Sequence, residues 1–422
     1  MTPADQPEEA RSEGLGRRSG LLIAVAFFTA SALGFVLLGV VSRWVTPEQT
    51  AQFLALWGLV FGIGSALSAV EQEIVRLATN AHLDRVRVPG RALQVTGLAI
   101  AVAVVVVLVI ALLPGVGELL RQSVLVAALV FVATGGFAVQ CMSRAVLLGT
   151  NQVTAYVSVI VLEALLRLVL AAGFVLGGVA PTLGLAALVI VIGCFGWVPV
   201  VGRVLRQLGT DTSGSSLRSV GSAVGALGLA NGLQSVQVTA FPAVASAILG
   251  ISAAMAPVYG AVTLARLPLV ALAPVQAMAV PVATRLIRSG RMGDLLGLVA
   301  KLSAGGFACA ALALGGGWLL GPWALRLYMG PGYDIAPAVI ALLLAASCVL
   351  AVALLIVAAL IALERYWTAV TVWLVAGIAV VLTLAAAPLA PDMRAAAGVV
   401  VGALVSWAAA SVAVTREARR RA

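Results

Sequence analysis

The sequence predicts an all-α polytopic membrane protein. Twelve transmembrane helices form two six-helix lobes related by a pseudo-two-fold axis along the membrane normal. Three observations carry this. The 422-residue chain is 62% hydrophobic and only 10% charged, with a mean hydropathy of +1.13. Soluble proteins run at about 45–50% apolar and about 25% charged. The chain also divides into stretches long enough to cross hydrocarbon, which takes about 20 apolar residues each. Finally, its basic residues alternate from loop to loop. So few charges cannot cover a soluble surface, which excludes a soluble enzyme, a nucleic-acid-binding domain and a disordered chain.

The elements follow in order. A tail, 1–19, carries Arg11, Arg17 and Arg18. Span 1 (20–43) is longer than a signal-peptide core and reads as an uncleaved signal-anchor. Span 2 (52–77) ends on Glu71, Gln72, Glu73 and Arg76. A loop with Arg85, Arg87, Arg91 and the single histidine, His82, leads to span 3 (93–114). Span 4 (122–147) has Arg144 near its end, and span 5 (153–177) holds Glu163 and Arg167 near its middle. Span 6 (182–205) runs into a polar linker, 206–218, suited to a hinge between the lobes 20–205 and 219–414. Span 7 (219–247) carries Asn231, Gln234 and Gln237, and span 8 (251–283) carries Arg266 two residues before Pro268. Spans 9 to 12 occupy 297–321, 336–362, 368–390 and 395–414, followed by a basic tail, 415–422.

Twenty of the 26 basic residues lie on the tails and alternate loops, and only Arg43, Arg121, Arg326 and Arg394 on the opposite side. The positive-inside rule therefore places both termini in the cytoplasm of a cell membrane. The net charge of +10 is mostly topogenic and faces anionic lipid; no nucleic-acid partner is implied. Two internal matches support a tandem repeat. Leu147–Ala155 resembles Ile361–Ala369 at an offset of 214, and Ile74–Leu77 resembles Ala283–Leu286 at 209. Helices six apart then correspond and share one orientation, as in transporters built from parallel repeats.

Phosphate-loop, zinc-protease and nucleophile-elbow motifs do not occur, so neither an enzyme nor a cofactor is expected. Cys141, Cys194, Cys309 and Cys348 fall in apolar spans without metal-ligand spacing and read as buried thiols. Trp44, Trp318, Trp323, Tyr328, Tyr333, Tyr366 and Trp367 lie near span ends, as in an interfacial aromatic belt.

The informative groups are polar ones within spans, because such groups are costly in hydrocarbon and mark partners or transport paths. Glu163 and Arg167 stand i, i+4 on one helix face and are able to pair. The pair is either a structural lock or a protonatable switch, with Glu163 the ion-coupling candidate. Arg266 beside a proline break has no acid near it in sequence, which points to a cavity-facing anion site. Arg76 and Arg285 correspond between halves and are candidates for a cationic pair at the cytoplasmic mouth. Arg144 lies at a similar level; ordinary positive-inside anchoring is the other reading of all three, and the one favoured for Arg144 and Arg285. Asn231, Gln234 and Gln237 form a stripe suited equally to sugar hydroxyls or to helix–helix glue.

These residues resemble a known family. Val45-Thr46-Pro47-Glu48-Gln49-Thr50-Ala51-Gln52-Phe53 and then Glu71-Gln72-Glu73-Ile74-Val75-Arg76-Leu77 are similar to the first two helices of polysaccharide flippases. In the second half, Leu249-Gly250, Tyr259, Arg266-Leu267-Pro268 and Pro281 before Arg285 look alike, as does Tyr328-Met329-Gly330-Pro331-Gly332-Tyr333. The family is the multidrug/oligosaccharidyl-lipid/polysaccharide exporter superfamily, and the resemblance covers about residues 20–414. It implies two lobes around a cationic cavity, alternating access, and a glycan joined by pyrophosphate to a polyprenyl lipid as substrate. It implies that Arg266 stands close to where relatives carry a cavity-lining polar or basic residue, and that Arg76 and Arg285 match the arginines that end the second helix of each lobe. Span 1 lacks a mid-span basic residue and two extra helices are missing, which speaks against peptidoglycan-precursor flipping. The sequence-level expectation is a flippase for a lipid-linked oligosaccharide in cell-surface polysaccharide biosynthesis. Membrane lipids, and a polymerase or glycosyltransferase, are the expected partners. The alternatives are a multidrug cation antiporter of the same superfamily and a non-transporting partner in an envelope-assembly complex.

Overall fold

The computed structural model describes residues 6–210 and 217–421. The middle of the linker, 211–216, lies outside the described residues, and with it the hinge expected there. The first lobe is built from α1 (Gln6–Trp44), α2 (Pro47–Leu83), α3 (Arg91–Ile110), α4 (Val116–Gln122), α5 (Val124–Gly149), α6 (Val153–Leu176), α7 (Leu183–Gly193) and α8 (Val201–Gln207). The second comprises α9 (Leu217–Val238), α10 (Phe241–Leu249), α11 (Ala256–Leu264), α12 (Leu267–Ala271), α13 (Ala273–Arg288), α14 (Met292–Met329), α15 (Pro337–Ala362), α16 (Tyr366–Ala386) and α17 (Pro391–Arg421). Among the described residues, eleven helical segments are long and apolar enough to cross a membrane. The bent pair α9–α10 makes twelve if read as one span.

Three expected spans are broken rather than continuous. Span 7 bends by 69° between α9 and α10, where Pro242 near the start of α10 has no backbone N–H to continue the ladder. Span 8 is interrupted at Ala265–Arg266 and again at Leu272, just ahead of Pro268 and Pro274. Span 6 breaks between Gly193 and Val201 around Phe195, Gly196 and Pro199. Span 9 is longer than expected, because α14 continues unbroken through Pro322 to Met329.

The two lobes carry one shared turn. Asn151 (φ 58°) and Glu364 (φ 61°) both adopt the left-handed conformation. Gln152 donates to the Leu147 carbonyl and Arg365 to the Leu360 carbonyl in the same helix-terminating pattern. The structural offset is 213, one residue from the register read in the sequence.

Helix α2 is the central element, and Thr46 starts it with a reciprocal capping box to Gln49. It packs on α5 within its lobe and on α9 and α10 across the lobe boundary. Small residues permit that crossing: a Cβ at Gly62 would stand 2.7 Å from the Ala240 Cβ. Asn231 donates to the Ser68 hydroxyl across the same boundary at 2.9 Å. At the far face, opposite both termini, Gly115 adopts φ 66° and a Cβ there would meet the Ser246 carbonyl oxygen at 2.0 Å. Gly115→Ala combines a disfavoured φ with a backbone clash. It is expected to cost more than about 2 kcal/mol, seen as reduced folded yield and a lowered melting temperature in detergent.

The far face is also where the lobes are tied. Arg43 at the end of α1 donates to the Leu327 and Tyr328 carbonyls, which α14 leaves open at its C-terminus. Ser42 donates to the Met329 carbonyl at 3.0 Å. The Tyr333 hydroxyl lies 2.7 Å from the Thr50 hydroxyl and 2.8 Å from the Ser42 carbonyl. The Tyr328 carbonyl and the buried Tyr333 hydroxyl therefore belong to this seal, and neither residue sits in a lipid-facing aromatic belt. Trp318, Trp323 and Trp367 are exposed on the outer surface. Cys309 is likewise exposed, unlike the other three cysteines.

Candidate functional site: a cavity of arginines and aromatics between the lobes

A cavity of about 320 Å³ lies between α1, α2, α5, α6 and the α11–α12 break. Its polar lining is Arg144, Glu163, Arg167 and Arg266, with Ser31 and Thr263. Phe27, Phe35, Trp57, Phe61 and Phe137 form the apolar wall.

The first-lobe charges form one chain. Arg167 pairs with Glu163 at 2.8 Å, one helical turn away on α6. The other Glu163 oxygen accepts from the Gln140 amide at 2.5 Å and lies 3.6 Å from Arg144. Arg144 in turn pairs with Glu71 of α2 at 2.5 Å. Two guanidiniums and two carboxylates thus alternate across α2, α5 and α6, mutually neutral. The side chains of Arg167 and Glu163 are 4% and 11% exposed, so the alternation is what makes burial tolerable. Arg167 also lies over Phe61 and Trp57, 5.0 and 5.6 Å from their ring centres, in cation–π range. A Cβ at Gly193 would meet the Arg167 Nε at 2.2 Å, so the guanidinium has room only because position 193 has no side chain. Gly193→Ala is expected to displace Arg167. A roughly tenfold loss of cavity-ligand affinity (about 1.4 kcal/mol) in a binding titration, together with a lowered melting temperature as the buried Glu163 pair is disturbed, would mark that displacement.

The geometry sorts the candidates. The Glu163–Arg167 pair forms as its spacing suggests. Arg144 is not a mouth anchor but the second cation of the buried chain, and Glu71 and Gln140 complete it. Gln140 and Arg144 stand i, i+4 on α5, but nothing in the sequence joins them to residues 71 and 163 on α2 and α6; only shared polarity within apolar spans signalled that. Arg266 borders the cavity from the second lobe. Arg76 pairs with Glu73 at 2.5 Å on its own helix and is half exposed. Arg285 is exposed. Neither lines this cavity: Arg76 stands about two turns before the end of α2, and Arg285 in the last turn of α13. Asn231 is used as glue, and Gln234 is half-buried outside the cavity lining. Gln237 is buried and lines a separate small void beside Arg266.

The unused hydrogen-bonding capacity of the charged groups has one sign. Nη2 of Arg167, Nε of Arg144, and Nε and Nη2 of Arg266 are buried without a protein partner. Both Glu163 oxygens are engaged. Gln140 adds one spare carbonyl acceptor.

No family model matches the chain. It is 27% identical over 420 residues to an uncharacterized protein of Mycobacterium bovis, covering 94% of this chain and 93% of the relative. It is 26% identical over 414 residues to one of Mycobacterium tuberculosis, covering 93% and 91%. Among solved structures, the inward-facing conformation of a multidrug resistance MATE family transporter of the MOP superfamily superposes with a TM-score of 0.70 at 12% identity. That match covers 93% of this chain and 95% of that one. The fold is that of the MATE transporters. A Vibrio cholerae MATE transporter gives 0.61 at 15% identity, covering 97% and 98%. An outward-facing MATE conformation gives 0.59 at 12% identity, covering 96% of each chain. In this MATE fold the cavity lies between the lobes, and α1, which lines it from Phe27 to Leu38, runs on to the Arg43–Tyr333 contacts.

Proposed function

We propose that the chain is an alternating-access transporter of the cytoplasmic membrane, with both termini in the cytoplasm, and that its cavity receives an amphipathic anion. The finer reading is a glycan joined through pyrophosphate to a polyprenyl lipid, moved outward for cell-surface polysaccharide assembly. The observation that carries the anion reading is the surplus of buried guanidinium donors: Arg144, Arg167 and Arg266 retain unpartnered N–H groups, while Glu71 and Glu163 are held by arginines. Guanidinium forks suit phosphate oxygens leaving water. The lipid tail has a route, because α1 packs along α6 and meets α14 through groups near their far ends. Phe27 and Phe28 on α1 are exposed beside the cavity.

The test is a binding titration on purified protein with a polyprenyl diphosphate glycan, the matching uncharged polyprenol and ethidium. The diphosphate is expected to bind at least about tenfold tighter than the polyprenol, a difference of about 1.4 kcal/mol. Failure of the diphosphate to bind, with tight binding of ethidium, overturns the reading. It would favour the second one, multidrug cation antiport, which rests on the names of the fold neighbours and on Glu163, the acid in the cavity lining. For a cation to bind, Glu163 must leave Arg167.

The seal makes a conformational prediction. Tyr333→Phe removes the hydroxyl that joins Thr50 to Ser42, a loss of about 0.5–1.5 kcal/mol. The fraction open at the far face is expected to rise roughly two- to tenfold. Spin-label distances between positions 48 and 334 in a Cys309→Ser background report it. An unchanged distance distribution contradicts the gate.

A further inference from the structure

A second, smaller cavity lies inside the C-terminal lobe, on the other side of Arg266. Its volume is about 10 Å³, and Gln237 of α9, Arg266, Ser347 of α15 and Val399 of α17 line it together with leucines. Gln237 is 4% exposed, and both its amide nitrogen and its carbonyl oxygen lack a protein partner. The same is true of Nε and Nη2 of Arg266. Ser347 already donates to the Leu343 carbonyl. One void thus gathers a buried cation and a buried amide, neither satisfied by protein.

An unpaired buried guanidinium is among the most costly groups a fold can hold. Among the described residues no carboxylate pairs with it. Glu71 and Glu163 serve Arg144 and Arg167. The acids paired in the second lobe, Asp294, Asp334 and Glu417, are tied to Arg291, Arg326 and Arg365. A water molecule in the void would satisfy hydrogen bonds but leave the charge uncompensated. A cavity of this size takes one species about as large as water, which excludes phosphate, sulfate and carboxylates. The ligand chemistry that answers both size and charge is a monatomic halide.

We propose that the C-terminal lobe binds one chloride ion between Arg266 and the Gln237 amide. The same guanidinium borders the central cavity, so chloride and a substrate anion compete for it. By linkage each weakens the other's binding. The chloride site stands without the substrate assignment; the competition rests on it.

The experiment is thermal unfolding of the purified full chain in sodium chloride, sodium bromide and sodium gluconate at equal ionic strength. Wild type is expected to melt at least about 2 °C higher in chloride and bromide than in gluconate, as ligand binding to the folded state alone requires. Gln237→Leu is expected to lose most of that difference. Gln237→Glu places a tethered carboxylate beside Arg266, and is expected to melt higher in gluconate than wild type does and to ignore chloride. Arg291→Gln, in an exposed surface pair, is expected to keep the halide effect. Equal melting of wild type in all three salts overturns the proposal, as does an undiminished halide effect in both Gln237 variants. If the halide effect holds but polyprenyl diphosphate binding does not fall with chloride, the competition and the substrate reading fail while the chloride site remains.

Discussion

Glu163→Leu is expected to be among the most disruptive single substitutions in the first lobe. Glu163 accepts from Arg167 and Gln140 and faces Arg144. Leucine leaves two buried guanidiniums opposed across the site with only Glu71 between them and neutrality. Removing one partner of a buried ion pair costs about 3–5 kcal/mol, and here one carboxylate serves two cations. The expected outcome is a large drop in melting temperature and poor recovery from the membrane. Glu163→Gln separates charge from shape. Its amide still accepts from Arg167, and Gln140 has a free carbonyl oxygen to receive the new N–H once its amide turns over. This variant is expected to fold with a cost of about 1–2 kcal/mol. It also bears on coupling. We propose that an anion arriving at Arg167 releases Glu163 to take a proton, so that the two facing states differ in proton affinity. Transport by Glu163→Gln is then expected to ignore a pH gradient that drives wild type. Equal responses of the two proteins rule the switch out and leave the pair a structural lock.

Arg266→Met is expected to do the opposite: no loss of stability, with a large loss of binding. Arg266 has no carboxylate partner among the described residues and two unsatisfied buried nitrogens, so replacing it by an apolar chain of similar length removes an uncompensated charge. In chloride-free buffer the melting temperature is expected to hold or rise. Affinity for the diphosphate is expected to fall about tenfold to 150-fold, since a charge-assisted hydrogen bond contributes about 1.5–3 kcal/mol. A variant that melts lower and binds equally well would show Arg266 to be a packing residue. This opposition of stability and binding is what a residue kept for function produces.

Most of the fold was legible in the sequence because hydrocarbon imposes length and composition on every crossing segment. The number of spans and the six-plus-six division followed from apolar runs and the alternation of arginines. The breaks were not legible, since Pro268 and Pro242 interrupt helices while Pro322 lies inside the unbroken α14; packing decides which prolines end a helix. At the site, Glu163 with Arg167 was readable because both stand on one helix at a fixed spacing. Arg144 was misread because its partners, Glu71 and Glu163, come from helices 73 and 19 residues away in sequence. Arg76 and Arg285 were promoted by their correspondence between halves, yet a shared position in sequence says nothing about which way a side chain turns. Tyr328 and Tyr333 looked interfacial from their location near a span end, and only the contact of α1 with the end of α14 reveals them as the seal.

We propose that the buried arginines between two MATE-like lobes carry an amphipathic anion across the membrane. The most direct test is reconstitution into liposomes with a fluorescent polyprenyl diphosphate glycan in both leaflets, reading the fraction bleached by an impermeant reductant. Wild type is expected to expose the whole pool, Arg266→Met only the outer leaflet, and ethidium uptake is expected to stay at the protein-free level. Bleaching confined to the outer leaflet with wild type, together with protein-dependent ethidium movement, would contradict the account.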